Sequence, residues 1–146
     1  MRELTWMGAL VVVCGIGCAS GPPPAAQNEK VSAGAQYLLG SEWALKDLAG
    51  TPLVEGSAPT MAFLEPGRVS GNASCNRYSG PVELGDGTIR VGALAVTKMA
   101  CTPEVDVQER AFLAAFQNGR RLEVLQGDLV LHSESLEEPL RFKRIR

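Results

Sequence analysis

The 146-residue sequence predicts a mainly β domain, a small curled sheet or barrel with antiparallel turns and one α-helix. Three observations carry this reading. Short apolar runs recur at strand length, some alternating with polar residues. Glycine-containing turn signals separate several of them at hairpin distance. One segment alone changes to spacings of three and four.

The first strand starts at Ser41, where Trp43, Leu45 and Asp47 alternate with Glu42, Ala44 and Lys46. Gly50-Thr51-Pro52 is a turn. Thr60–Glu65 is a second strand, and Glu65-Pro66-Gly67-Arg68 is a hairpin turn into Val69-Ser70-Gly71. Val82-Glu83-Leu84 is a strand that ends at Gly85-Asp86-Gly87, and Thr88–Val91 follows. Pro103-Glu104 then opens a helix of three or four turns with Phe112, Leu113 and Phe116 facing inward. Thr102 or Pro103 starts it, Asn118-Gly119 stops it, and Glu104 and Asp106 suit its positive end. Leu122–Leu125 and Leu129–His132 form a hairpin through Gln126-Gly127-Asp128. Leu140–Arg144 is the last strand. Met61 and Met99 are expected as core fillers.

The N-terminus has a different character. Leu4 to Ile16 is apolar apart from Thr5 and glycines. As a helix it would span about 20 Å, short of the ~30 Å of a bilayer core. It reads as the h-region of a secretory signal peptide over residues 1–17, with an ordinary N-terminal helix as the alternative. The run ends in Gly15-Ile16-Gly17-Cys18-Ala19-Ser20, which resembles a bacterial lipobox. That resemblance implies cleavage before Cys18 and a lipid on it. Cys14 is a rival, with bulky Val13 where a small residue belongs, and cleavage without lipid is the other alternative. Residues 18–37, with Pro22-Pro23-Pro24, read as a tether to a domain over 38–146. The expected location is a periplasm-facing envelope lipoprotein. Ala19 does not look like an inner-membrane retention signal, which favours the outer membrane.

Composition excludes some classes. There are 14 basic and 16 acidic residues, for a net charge of -2, so no basic stripe invites nucleic acid. The chain has one histidine and four cysteines. After cleavage, Cys75 and Cys101 remain as an even pair in an oxidising compartment. They are expected to form a disulfide closing a loop of about 26 residues, with two buried free thiols as the alternative. Neither lies in a C-x-x-C pair and His132 is the one imidazole, so no metal site is expected. A cysteine nucleophile needs an activating base, and His132 is poorly placed to be one, so no catalytic residue or cofactor is expected either.

The stretch Val69-Ser70-Gly71-Asn72-Ala73-Ser74-Cys75-Asn76-Arg77-Tyr78-Ser79-Gly80 is followed by Thr97-Lys98-Met99-Ala100-Cys101, then by Glu109 and Phe112. This combination resembles the META domain, or HslJ-like, family, and Leu39–Leu45 looks like its first strand. Ser74 stands where glycine commonly precedes the cysteine, and Pro81-Val82 where an aromatic is common. The resemblance implies a lipocalin-like, partly open β-barrel with one α-helix packed over it. It also implies secretion or lipid anchoring in a bacterial envelope and a link to heat stress and novobiocin tolerance, with no defined catalytic activity.

Asn76, Arg77, Tyr78, Thr97 and Met99 are the motif residues, with two readings. In one, Arg77 clamps a carboxylate beside a Tyr78 wall. In the other, Asn76 satisfies backbone groups in a bend while Arg77 and Tyr78 cover the barrel end. The second weighs more, because no other basic residue is near. Arg141, Lys143, Arg144 and Arg146 form a basic patch, read either as a headgroup contact or as a solvated strand face beside Glu137 and Glu138. The expected role is non-catalytic binding or scaffolding in envelope stress or antibiotic tolerance, by a monomer with an envelope protein partner. The alternative is an acyl-chain or small apolar ligand carrier with an interior lined by Phe63, Leu84, Val91 and Leu129.

Overall fold

A computed structural model describes residues 30–32 and 34–146. The signal peptide, Cys14, Cys18 and the tether as far as residue 29 lie outside the described residues. The elements are β1 (Lys30–Ser32), α1 (Ala35–Leu38), β2 (Ser41–Asp47), β3 (Thr60–Glu65), β4 (Arg68–Asn72) and β5 (Arg77–Leu84). Then come β6 (Ile89–Val91), β7 (Ala95–Val96), α2 (Pro103–Gln117), β8 (Gly119–Leu125), β9 (Asp128–Ser133) and β10 (Leu140–Arg144).

Eight strands in the order β8-β9-β10-β2-β3-β4-β5-β6 curl into a nearly closed, all-antiparallel barrel. Closure is slight: Leu122 N–H donates to the Gly87 carbonyl at 3.0 Å, beside a single Thr88–Arg121 bridge. The rest of that β8 edge pairs with β1, from Lys30 opposite Leu125 to Ser32 opposite Glu123. The edge of β5 is likewise divided between β6 and β7.

The hairpins follow turn chemistry. Ala49-Gly50 and Gln126-Gly127 both have two positive φ values, the requirement of a type I′ turn. The first joins Leu48 to Thr51 by two backbone hydrogen bonds, one residue earlier than the Gly50-Thr51-Pro52 turn read from sequence. Antiparallel pairing gives the barrel two ends. One gathers α1, the 65–68 and 125–128 turns and the C-terminus. The other gathers residues 72–77, residues 97–102 and α2.

The interior is full. Trp43, Phe63, Phe112, Phe116, Phe142, Met61, Leu122, Leu129, Leu131 and Leu140 are fully buried. The Phe112 and Phe116 rings of α2 stack 5.8 Å apart, and both pack on Tyr78. Truncating either phenylalanine to alanine would cost about 3–5 kcal/mol.

Several expectations need correction. Lys30–Ser32 is a paired strand and Ala35–Leu38 a helical turn with Leu38 buried, so secondary structure begins inside the stretch read as tether. That stretch has no periodicity of its own, and its pairing partner lies over 90 residues on in sequence. Arg77 and Tyr78 begin a strand that runs to Leu84, rather than a bend before a strand at Val82. Leu113 is only partly buried, and Ala115 takes the inward place. Met61 is core, but Met99 is 59% exposed.

Ala49 holds φ +49°, a conformation that asparagine tolerates better than alanine. Ala49→Asn should therefore stabilise the protein by about 0.5–1 kcal/mol. A urea midpoint that fails to rise would contradict the turn assignment.

Candidate functional site

The motif residues meet at the α2 end of the barrel, where they separate into an inner and an outer set. On the inside, α2 presents two adjacent polar residues, Gln108 and Glu109, both buried. Glu109 Oε2 accepts the backbone N–H groups of Cys75 (3.1 Å) and Asn76 (2.7 Å). Its Oε1 accepts Asn76 Nδ2 at 2.7 Å. Asn76 Oδ1 in turn accepts the Thr97 hydroxyl (2.9 Å) and the Met99 N–H (2.7 Å). Thr97 Oγ1 accepts the Arg77 N–H at 3.1 Å. One carboxylate thus joins the helix to the 75–77 segment, and one carboxamide joins that segment to 97–99.

Gln108 makes the matching set of contacts. Its Oε1 accepts Val54 N–H at 2.8 Å, and its Nε2 donates to the Ser57 carbonyl and hydroxyl and to the Ser74 hydroxyl. Ser74 has φ +134°, which accounts for glycine being common there in the resembling family. Here the hydroxyl gives Gln108 a partner at 2.9 Å in exchange for a strained backbone.

Cys75 and Cys101 are joined by a disulfide with Cα atoms 6.2 Å apart, as the cysteine count suggested. It links the same two segments that Asn76 links. Tyr78 is buried, and its hydroxyl donates to the Thr60 carbonyl at 2.8 Å. Burial pushes its phenol far above the ordinary value, so it stays neutral. The hydroxyl passes over Gly71, where an added Cβ would sit 2.1 Å from the Thr60 carbonyl oxygen. Asn76, Thr97, Tyr78, both cysteines and the Met99 backbone are therefore all engaged in holding loops together. The structure favours the bend-satisfying role for Asn76 and gives it a partner that sequence reading did not supply, Glu109. Polar residues at 108 and 109 on an otherwise apolar helix face were the available signal.

His132 lies on β9, with Nε2 2.8 Å from Glu123 Oε1 and 3.1 Å from an Arg121 guanidinium nitrogen. It is part of a cross-strand polar cluster between β8 and β9.

Arg77 belongs to the outer set. It is exposed, and among the described residues no carboxylate pairs with it. It borders a groove of about 830 Å³ on the outer face of β2, β3, β4, β5 and β7. The floor comes from register. Glu42 opposes Ala62, Ala62 opposes Ser70, Ser70 opposes Ser79, and Ser79 opposes Ala95. From Ala62 to Ala95, small side chains thus follow one another across four strands, about 14 Å at ~4.8 Å per strand, with Glu42 at the β2 edge. Leu64 and Ile145 stand toward one side, and Asn72, Arg77 and Thr97 toward the other. The groove offers a close approach to backbone, apolar walls and one unpaired guanidinium. Its lining includes no cysteine, histidine or lysine to form a nucleophile–base pair.

Comparison with known proteins agrees with this architecture. The family model of the META domain matches residues 36–145. The chain is 26% identical over 106 residues to the heat shock protein HslJ of Escherichia coli (strain K12), spanning 71% of this chain and 75% of that protein. A protein of Burkholderia xenovorans solved by NMR is similar with a TM-score of 0.61 and 27% identity, over 86% of this chain and all of that one. Another NMR structure matches with a TM-score of 0.63 and 24% identity, over 76% of this chain and 94% of that one.

Glu109→Gln should cost about 2–3 kcal/mol, because an amide N–H2 must then face a donor that the carboxylate accepted. Removing the bridge with Cys75→Ala/Cys101→Ala should cost roughly 3.5 kcal/mol from loop entropy. Guanidinium denaturation measures both. A loss below about 0.5 kcal/mol for Glu109→Gln would mean that the carboxylate does not hold the loops.

Proposed function

The chain belongs to the META domain family, and from that premise we propose that it is a non-catalytic binding protein of the bacterial cell envelope. It is anchored by lipid on Cys18, acts as a monomer, and engages an envelope protein partner through the outer groove in stress tolerance. The observation that carries this is the contrast between interior and exterior. Large apolar side chains occupy the barrel axis, including Phe63 and Leu129 of the expected ligand lining, while Leu84 and Val91 are only partly buried at its margin. An acyl-chain carrier needs an open cavity there. The groove outside is open, and its row of small residues admits a peptide backbone while Arg77 supplies a site for an acidic side chain.

The stress role rests on similarity to a protein named for heat shock. The anchor rests on the lipobox-like Gly15–Cys18 segment at the end of a 13-residue apolar run. The non-catalytic reading rests on the chemistry of the motif: the thiols are oxidised and the Glu109 carboxylate is occupied by three donors.

Two variants test the parts separately in a strain lacking the gene. Cys18→Ser should shift the protein from the membrane pellet to the soluble fraction. Ser70→Trp, which places a large side chain of high strand propensity in the groove floor, should leave folding and fractionation unchanged and abolish rescue of stress sensitivity. Full rescue by Ser70→Trp would exclude the groove as the partner site. Unchanged fractionation of Cys18→Ser would exclude the anchor.

A further inference from the structure

The barrel end that carries α1 has a surface that the motif does not use and that meets the groove at Leu64 and Ile145. Of the six exposed large apolar side chains among the described residues, Tyr37, Leu39, Leu64 and Ile145 lie at this end, each between 43% and 51% exposed. They form a connected surface. Leu64 and Ile145 border the same groove. Leu64 and Arg68 share a shallow depression beside it. Leu39 and Arg68 border an apolar pocket of about 240 Å³ backed by Phe63, Val82 and Leu84. Tyr37 packs against Trp43 with ring centroids 6.5 Å apart, and the Arg144 guanidinium lies 5.9 and 5.7 Å from those two rings.

Unpaired charge at this end is divided: Glu83 and, just past β5, Asp86 have no basic partner among the described residues, while the side of Tyr37 and Trp43, where Arg144 lies, favours an anionic partner. Glu42, Glu65 and Asp128 are each already paired, with Arg146, Arg68 and Lys46. Lys143 and Arg144 have no carboxylate partner among the described residues. Aromatic, leucine and arginine side chains together are the composition of a membrane–water interface.

The path of the chain points the same way. Lys30 pairs with Leu125, beside the turn at this end, so the described chain begins here. From Cys18 to Lys30 is twelve residues, which reach at most about 40 Å when fully extended. To bring the opposite end to the bilayer, the tether would have to double back along strands that are themselves about 23 Å long.

We propose that the α1 end is a membrane-docking face, seating Tyr37, Leu39, Leu64 and Ile145 in the interfacial layer while Lys143 and Arg144 meet anionic phospholipid headgroups. This deepens the envelope reading above and rests on it for where the tether leads. The face is a weak second attachment that orients the domain, covers the Leu64–Ile145 side of the groove and leaves its Arg77 side away from the bilayer.

The test uses residues 29–146, without the anchor. That span holds every strand and both helices of the described fold. Co-sedimentation should show binding to vesicles rich in phosphatidylglycerol and little to pure phosphatidylcholine. Leu39→Ser/Leu64→Ser, and separately the exposed Lys143→Glu, should each weaken it by about tenfold. Val107→Ser, an equally exposed apolar site on α2, should leave it unchanged. Thermal melts of all variants should match, so that lost binding is not lost folding. Absent binding, equal binding to both vesicles, or an equal loss in Val107→Ser would overturn the proposal. So would sedimentation showing a dimer that Leu39→Ser/Leu64→Ser separates, since the face would then be a self-contact. Fractionation of full-length Cys18→Ser combined with Leu39→Ser/Leu64→Ser reads the anchor apart from the docking face.

Discussion

A buried carboxylate and its neighbouring carboxamide, Glu109 and Gln108, hold the α2 end of this barrel together. Four segments from distant parts of the chain converge there: 54–57, 72–77, 97–101 and the helix itself. None of these loops has a ladder to satisfy its backbone groups at that point. The two helix side chains supply the acceptors and donors instead, at distances between 2.7 and 3.1 Å. A buried polar pair of this kind is costly when half-satisfied and specific when complete. Here it fixes the position of the helix, and so sets Phe112 and Phe116 in the barrel mouth against Tyr78 and Phe142.

Filling the mouth with those rings has a consequence for function. A small barrel has room on its axis either for side chains or for a ligand. This one uses the room for side chains, so the proposed recognition site is on the outside. The outer face is suited to it because inward-pointing bulk alternates with outward-pointing small residues. Met61, Phe63 and Val69 point in, while Thr60, Ala62 and Ser70 point out. The same alternation that packs the core therefore carves the groove.

The Cys-Asn-Arg-Tyr segment is a compact case of this division. Cys75 and Asn76 are tied to α2 and to the 97–101 loop, Tyr78 enters the core, and Arg77 between them faces the groove. A motif that reads as one unit in sequence thus contributes three residues to architecture and one to surface chemistry. The sequence favoured the structural role but gave Arg77 and Tyr78 a shared task at the barrel end. The strand that starts at Arg77 separates them, because neighbours along a strand point to opposite faces.

By itself the sequence determined what depends on local order. Period-two runs, glycine turns and the 103–117 helix are set by residues within a few positions of each other, and these were legible. So was the pairing of Cys75 with Cys101, since few cysteines were available to choose from. Tertiary structure decided the rest. That Met99 is exposed while its backbone N–H is buried on Asn76 depends on a partner 23 residues away. That Lys30–Ser32 forms a strand depends on β8, more than 90 residues on. The groove floor needs Ala62, Ser70, Ser79 and Ala95 in one row, which no local pattern encodes. Periodicity states which side of an element is apolar. Only pairing between distant segments settles what each side faces, and the groove, the polar tie and the α1-end surface all follow from that pairing.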